Sequence, residues 1–275
     1  MSRTAKGTGM DDTATRHVRT LFVSDIHLGT RGCQPDLLLD FLKHHDADTI
    51  YLVGDIVDGW RLKAGWYWPQ SHNDVVQKLL RKVRKGARVI YVPGNHDEFL
   101  RDYVGSNFGG IEIVEEAVHV TAAGQRILVL HGDKFDMVIR HAPWLAKFGD
   151  VAYDLAIWLS AHVSRARRRM GLPYWSFSAW SKGKVKRAVN FISAFQDAVV
   201  ADAERHGVTS VLCGHIHQPA MERIRGVEYI NTGDWVESCT AVAEHHDGRL
   251  ELIRWTSPAH VEATLRPPRR LATAA

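Results

Sequence analysis

Residues 88–97 read RVIYVPGNHD. A run rich in β-branched and aromatic residues, the composition of a strand, stops at a Pro-Gly turn and delivers Asn95, His96 and Asp97. The same pattern recurs on either side of it. Residues 19–27 (RTLFVSDIH) end on Asp25 and His27, and residues 49–55 (TIYLVGD) end on Asp55. Residues 126–133 (RILVLHGD) end on His131, and residues 210–217 (SVLCGHIH) end on His215 and His217. Ligands of α/β sheets gather at the carboxyl ends of strands, so these five turns can converge on one place. Between them, Leu37, Leu38, Phe41 and Leu42 stand at helical spacing. So do Val75, Val76, Leu79, Leu80 and Val83, and a long helix is expected over 188–206. Strands are expected near 118–121, 227–231, 239–243 and 250–255. From 136 to 190 the strand signals stop and helical, basic and aromatic sequence takes over. Early strand–helix alternation with a β-rich end implies an α/β sandwich interrupted by one helical insertion. Residues 1–17 read as a disordered tail, 18–256 as one domain carrying the 136–190 insertion, and 257–275 as a Pro- and Ala-rich tail.

Composition narrows the class. The chain has 275 residues, 45% hydrophobic and 24% charged, enough for one large core and unlike a disordered or collagen-like chain. Cys33, Cys213 and Cys239 are widely spaced with no CxxC pair. They read as small buried thiols in a reducing compartment. No apolar run approaches the roughly 18 to 20 residues of a membrane span, and the first 17 residues lack the apolar stretch of a secretory signal. A cytoplasmic protein, soluble or held peripherally on the inner face of a membrane, is expected. The net charge of +4 is unevenly spread: ten Lys or Arg face three Asp between 136 and 190, which carries +7 and leaves −3 for the rest. One cationic segment points to an anionic partner at one place.

The convergent set is Asp25, His27, Asp55, Asn95, His131, His215 and His217, with His96 beside it. Mixed carboxylate and imidazole ligands suit Mn, Fe or Zn better than Mg or Ca, which prefer all-oxygen shells. A carboxylate with two oxygens can bridge two ions. Such a pair, roughly 3.5 to 4 Å apart, clamps both oxygens of an in-line displacement and lowers the pKa of a bridging water, which is the chemistry of phosphoester hydrolysis. Asp-x-His or Gly-Asp alone is common, because turns favour these residues. It is the joint, ordered occurrence that makes chance convergence improbable.

These motifs, Asp25-x-His27, Gly54-Asp55, Gly94-Asn95-His96-Asp97, His131 and Gly214-His215-x-His217, resemble the signature of the calcineurin-like metallophosphoesterases over roughly residues 19–255. The resemblance implies a two-sheet β-sandwich flanked by helices, with the insertion as a helical cap. It implies two divalent metal ions, manganese foremost with Fe or Zn as alternatives. One ion would be held by Asp25, His27, Asp55 and His217, the other by Asp55, Asn95, His131 and His215, with Asp55 bridging. His96 would sit over the phosphate, stabilising charge or protonating the leaving oxygen, and Asp97 would orient its ring.

The helical insertion, the helix leading into Gly214-His215-Ile216-His217 and the following Pro219 look like the UDP-2,3-diacylglucosamine hydrolases of lipid A synthesis. That resemblance implies pyrophosphate cleavage that releases UMP, and acyl chains held beneath the cap. The expected substrate-binding residues are the cations Arg165, Arg169, Lys182, Lys184, Lys186 and Arg187 with the aromatics Trp175 and Trp180. Aromatic side chains beside cations suit an amphiphilic phosphate at an anionic membrane surface. They could equally form the cap's own core and solvated face. That subfamily carries Gly-Asn-Arg-Asp where this chain has His96, so another lipid or nucleotide phosphate stays open as substrate. The aromatic loop 60–68 (WRLKAGWYW) is read as a further lip of the pocket or as packing. A nuclease or cyclic-nucleotide phosphodiesterase is the nearest rival enzyme, though nucleic acid is not the expected partner. A non-catalytic scaffold would have lost metal ligands, and all seven are in place.

Overall fold

Strands β1 (Arg16–Val23), β2 (His45–Val53) and β3 (Arg88–Val92) run parallel, each followed by polar residues at the same end. Their side chains alternate between two buried environments. Leu21, Val23, Ile50 and Leu52 point to one apolar cluster, whereas Phe22, Tyr51, Val53 and Ile90 point to another. A strand buried on both faces reads as an unbroken apolar run, which is why the sequence shows no polar alternation there. The computed structural model describes residues 15–135 and 177–256, and within 177–190 it gives the course of the helix alone.

The first sheet has seven strands in the order β12-β11-β1-β2-β3-β5-β4, completed by β4 (Asn107–Phe108), β5 (Ile111–Ile113), β11 (Thr240–Glu244) and β12 (Leu250–Arg254). The second has five, in the order β6-β7-β8-β10-β9. They are β6 (Ala117–Val120), β7 (Arg126–Val129), β8 (Ser210–Cys213), β9 (Ala220–Ile224) and β10 (Val227–Asn231). In this sheet β7, β8 and β10 run parallel. Phe22, Tyr51 and Val53 meet Ile127, Val129, Leu212 and Ile230 between the sheets. The two-sheet sandwich is thus present.

Helix α1 (Pro35–His44) starts on a proline, carries Asp36 in its first turn and Lys43 and His44 in its last, and buries Leu38, Phe41 and Leu42 against the first sheet. Helix α2 spans Gly59–Ala64, and α3 (Gln70–Arg84) buries Val75 and Leu79. Helix α4 (Phe177–Arg205) covers the second sheet with Phe195, Val199, Val200 and Ala203. It begins eleven residues before the helix expected at 188, because the Lys, Arg and Ala that follow Phe177 are good helix formers. Part of the aromatic loop 60–68 is the helix α2. Strands β4, β5 and β9 were not expected, being short or half-exposed. The three cysteines are buried and unpaired. Among the described residues no helix is long and apolar enough to cross a membrane.

One carboxylate ties the two sheets together. Glu244 of β11 is fully buried. It accepts hydrogen bonds from Arg19 Nη1 (2.6 Å), Thr20 Oγ1 (2.8 Å), the Ala122 amide (2.7 Å) and His119 Nε2 (2.7 Å). Burial raises its pKa, but these donors outweigh it and hold Glu244 below its ordinary value of 4.5. Burial also holds His119 below its ordinary 6.5, against the pull of Glu244. In both cases the unfolded chain takes up the proton more readily than the folded one. Stability is therefore expected to be complete above about pH 6.5, to decline as His119 titrates in the unfolded state, and to fall further below about pH 4.5 as Glu244 is protonated. Glu244→Ala strands four donors and is expected to cost about 3 kcal/mol at neutral pH. Urea denaturation of both proteins across pH 4 to 8 checks this. A variant whose stability and pH profile match the parent's would contradict it.

Candidate metal centre

All five predicted strand ends meet in one place. Asp25 and His27 follow β1, Asp55 follows β2, and Asn95 and His96 follow β3. His131 follows β7, and His215 and His217 follow β8. The backbone there is zipped turn to turn: Asp25 N donates to Gly54 O (3.0 Å), His27 N to Asp55 O (2.9 Å) and Gly214 N to His131 O (3.1 Å). Five of these residues adopt positive φ without being glycine: Asp25 (50°), His27 (55°), Asp55 (53°), His215 (71°) and His217 (53°). A left-handed conformation at a side-chain-bearing residue costs energy and persists only where the surroundings impose it, typically at functional sites. Glycine is needed nearby for a different reason. A Cβ on Gly94 would collide with the Asp55 carboxylate and the His131 ring, and one on Gly214 with Asp25 and Ser24.

Two triads form. Asp25, His27 and His217 bring ligand atoms within reach of one ion, and Asp55, His131 and His215 within reach of another. Asp55 Oδ2 lies 3.3 Å from His131 Nε2 and 3.9 Å from His27 Nε2, between the two groups. The donor atoms are buried and lack hydrogen-bond partners at Asp25 Oδ1, Asn95 Oδ1 and His131 Nε2. Buried polar atoms are normally paired, so three orphans aimed into one space fit a cation that would satisfy them. The protonation pattern fits as well. His131 Nδ1 donates to Val53 O (2.9 Å) and His27 Nδ1 to Asp58 Oδ2 (3.3 Å), which leaves each Nε2 with its lone pair for a metal.

Electrostatics calls for positive charge in this space. Burial disfavours charge on Asp25 and Asp55, yet the neighbouring imidazoles prevail and hold both carboxyls below their ordinary range. Conversely, burial disfavours the His131 imidazolium, but Asp55 lifts its pKa to about 10, and Asp25 lifts that of His217 to about 8. Protons on these rings stand where a cation would serve the carboxylates.

His96 is in place beside the triads. Its amide donates to Asp55 Oδ1 (2.8 Å), its ring packs on Trp60 with centroids 4.3 Å apart, and its Nδ1 lies 3.0 Å from Asp58 Oδ2. Asp97 does not orient this ring. Its buried carboxylate accepts from the Gly94 and Ile56 amides (2.6 and 2.7 Å) and from Tyr91 Oη (2.5 Å), pinning the turns after β2 and β3 to each other. The residue facing His96 is Asp58, absent from the sequence reading. One of its oxygens caps α2 through the Arg61 amide (2.8 Å), while the other faces His27 and His96. Its place before Gly-Trp-Arg is a helix-start signal, which hides the second role. Ser24, likewise unforeseen, bonds both Asp25 Oδ2 and Thr232 Oγ1.

The sequence model of the calcineurin-like phosphoesterase family matches residues 18–219, which contain all of these motifs. The chain belongs to the calcineurin-like phosphoesterase family. It is a hydrolase of that family, and the clustered His and Asp groups are those of a divalent-metal centre. Several curated relatives share one name. A UDP-2,3-diacylglucosamine hydrolase of Shewanella halifaxensis is 26% identical, over 86% of this chain and 98% of that one. Those of Xanthomonas campestris pv. campestris and Stenotrophomonas maltophilia are 28% and 29% identical, over 83% and 79% of this chain and 96% and 91% of theirs. Of the expected substrate-binding residues, Arg165, Arg169 and Trp175 lie outside the described residues, as do the side chains of Trp180, Lys182, Lys184, Lys186 and Arg187.

Proposed function

We propose that this phosphoesterase hydrolyses the pyrophosphate bond of an amphiphilic nucleotide-sugar lipid, with UDP-2,3-diacylglucosamine as substrate and UMP as product. The observation that carries the reading is the pair of triads at the converging strand ends, with orphaned donor atoms on Asp25, Asn95 and His131 and a cavity opening at His27 and His217. The names of the relatives support the substrate.

Asp25, His27, Asp55 and His217 would hold one ion, and Asp55, Asn95, His131 and His215 the other. This donor set suits Mn, Fe or Zn better than Mg or Ca, and manganese is the ion the resemblance favours. Together the two ions would supply a water of lowered pKa and a clamp on the attacking and leaving oxygens. The chain's own contributions are binding, orientation and proton transfer. His96 lines the cavity beside His27 and His217. With its Nδ1 3.0 Å from the Asp58 carboxylate, His96 is placed to stabilise phosphoryl charge or to protonate the leaving oxygen. The basic, aromatic sequence of 136–190 supports contact with acyl chains and an anionic membrane surface, and with it a peripheral cytoplasmic location.

The test is release of UMP from UDP-2,3-diacylglucosamine in detergent micelles with manganese. Stripping the protein with EDTA is expected to bring turnover to background and lower Tm, because ions that bind only the folded state stabilise it by about 2.7 kcal/mol at a hundred times Kd. Restoring manganese should recover both. Metal-dependent cleavage of bis(4-nitrophenyl) phosphate without UMP release would keep the phosphoesterase and overturn the substrate.

A further inference from the structure

A cavity of about 710 Å³ opens beside the first triad, whose His27 and His217 line it. His96, Arg31, Arg61 and Tyr67 line the same cavity. These last three come from the turn after β1 and from the segment around α2, outside every metal-binding motif. The Arg31 guanidinium lies over the Tyr67 ring, 4.5 Å from its centroid. Both segments are held by one buried side chain. His72, in the first turn of α3, accepts a hydrogen bond at Nδ1 from the Gly29 amide (3.0 Å). The same ring stands edge-on to Tyr67 (5.7 Å, 86°) and to Trp68 (5.5 Å, 90°). The Gly29 turn that leads to Arg31 and the loop that carries Tyr67 therefore share an anchor. A stacked guanidinium has given up much of its rotamer freedom before any ligand arrives, and its planar fork matches the oxygens of a phosphoryl group.

We propose that Arg31, stacked on Tyr67, binds the second phosphoryl group of a diphosphate diester while the first lies at the metal centre, and so selects diphosphates over simple phosphodiesters. The inference rests on the pyrophosphate reading above and adds to it a specificity residue. Arg61 lines the same cavity. A substrate with one phosphorus reaches only the metal centre and gains nothing from Arg31.

Two readouts test this at fixed free manganese. Arg31→Ala is expected to lower kcat/KM for UDP-2,3-diacylglucosamine by about 10- to 100-fold, the worth of a charged hydrogen-bonded contact, chiefly through KM. Its kcat/KM for bis(4-nitrophenyl) phosphate should stay within twofold of the parent. Arg31→Lys, which keeps the charge and loses the fork, should fall between. The second readout needs no lipid turnover. In the parent protein, UDP should inhibit bis(4-nitrophenyl) phosphate hydrolysis more strongly than UMP, and Arg31→Ala should erase that preference. Equal losses on both substrates, or an unchanged preference for UDP over UMP, would overturn the assignment. If the parent releases no UMP from the lipid, the pyrophosphate reading fails by itself, and the inhibitor ratio still decides whether Arg31 grips a second phosphoryl group.

Discussion

Asp55→Ala is expected to take turnover to assay background, a fall of at least about 10⁴-fold, more than the loss of one acid–base group commonly causes. The carboxylate stands between the triads, with Oδ2 3.3 Å from His131 Nε2 and 3.9 Å from His27 Nε2, so its removal takes a ligand from both sites. Its other oxygen accepts the His96 amide, and the variant also loosens the turn that carries His96. Metal content measured on the purified protein should fall from two ions per chain to one or fewer. Asp55→Asn keeps an acceptor for that amide and separates the two effects: it should fold like the parent and still lose metal and rate. A variant that held two ions and full rate would show that Asp55 does not bridge.

His96→Ala should leave the ions bound and lower kcat by about 10² to 10⁴-fold. The ring lines the cavity and belongs to neither the Asp55, His131 and His215 triad nor the Asp25, His27 and His217 triad, although with His27 and Asp58 it forms a third group whose atoms could reach an ion. Asp58→Asn is the informative companion. It removes the charge that faces both His27 Nδ1 and His96 Nδ1 while leaving an oxygen to cap the Arg61 amide. Burial works against ionising Asp58, yet its contacts with His27 and His96 hold the carboxyl well below the usual range, so it is charged at every working pH. The substitution is therefore expected to cut the rate by about 10- to 100-fold and to weaken metal affinity to a similar degree, as loss of an outer carboxylate commonly does. Full metal and a reduced rate in His96→Ala, with both reduced in Asp58→Asn, would separate the two roles. A His96→Ala enzyme at full rate would end the proton-transfer assignment.

The polar strand ends were legible because everything that marks them is local. A buried strand must be apolar, and its carboxyl end is where a parallel sheet presents side chains, so Asp25, Asp55, Asn95, His131 and His217 could each be placed from a few neighbours. The partners that orient them were not legible, because each answers to two demands at once. Asp58 caps a helix and faces two histidines, while Asp97, expected to orient the His96 ring, instead pins two turns. Glu244 closes a strand in sequence and in the structure gathers donors from three other segments. Arg31 and Tyr67 meet across 36 residues through His72, a pairing without local periodicity. The glycines were read as serving a tight turn or a close approach of backbone to a ligand. At Gly94 and Gly214 the requirement is room for a neighbour's carboxylate, and the left-handed backbone belongs to the ligands themselves.

Each triad takes members from both sheets: Asp25 and His27 from the first with His217 from the second, and Asp55 from the first with His131 and His215 from the second. The interface between the sheets is apolar, and apolar contact resists separation far better than it resists sliding. Shear of one layer over the other by an ångström would leave most of that burial intact and would pull ligands from both ions together. Ions held there would act as dowels, adding to the lateral alignment that the Glu244 and His131–Val53 hydrogen bonds already give the two layers.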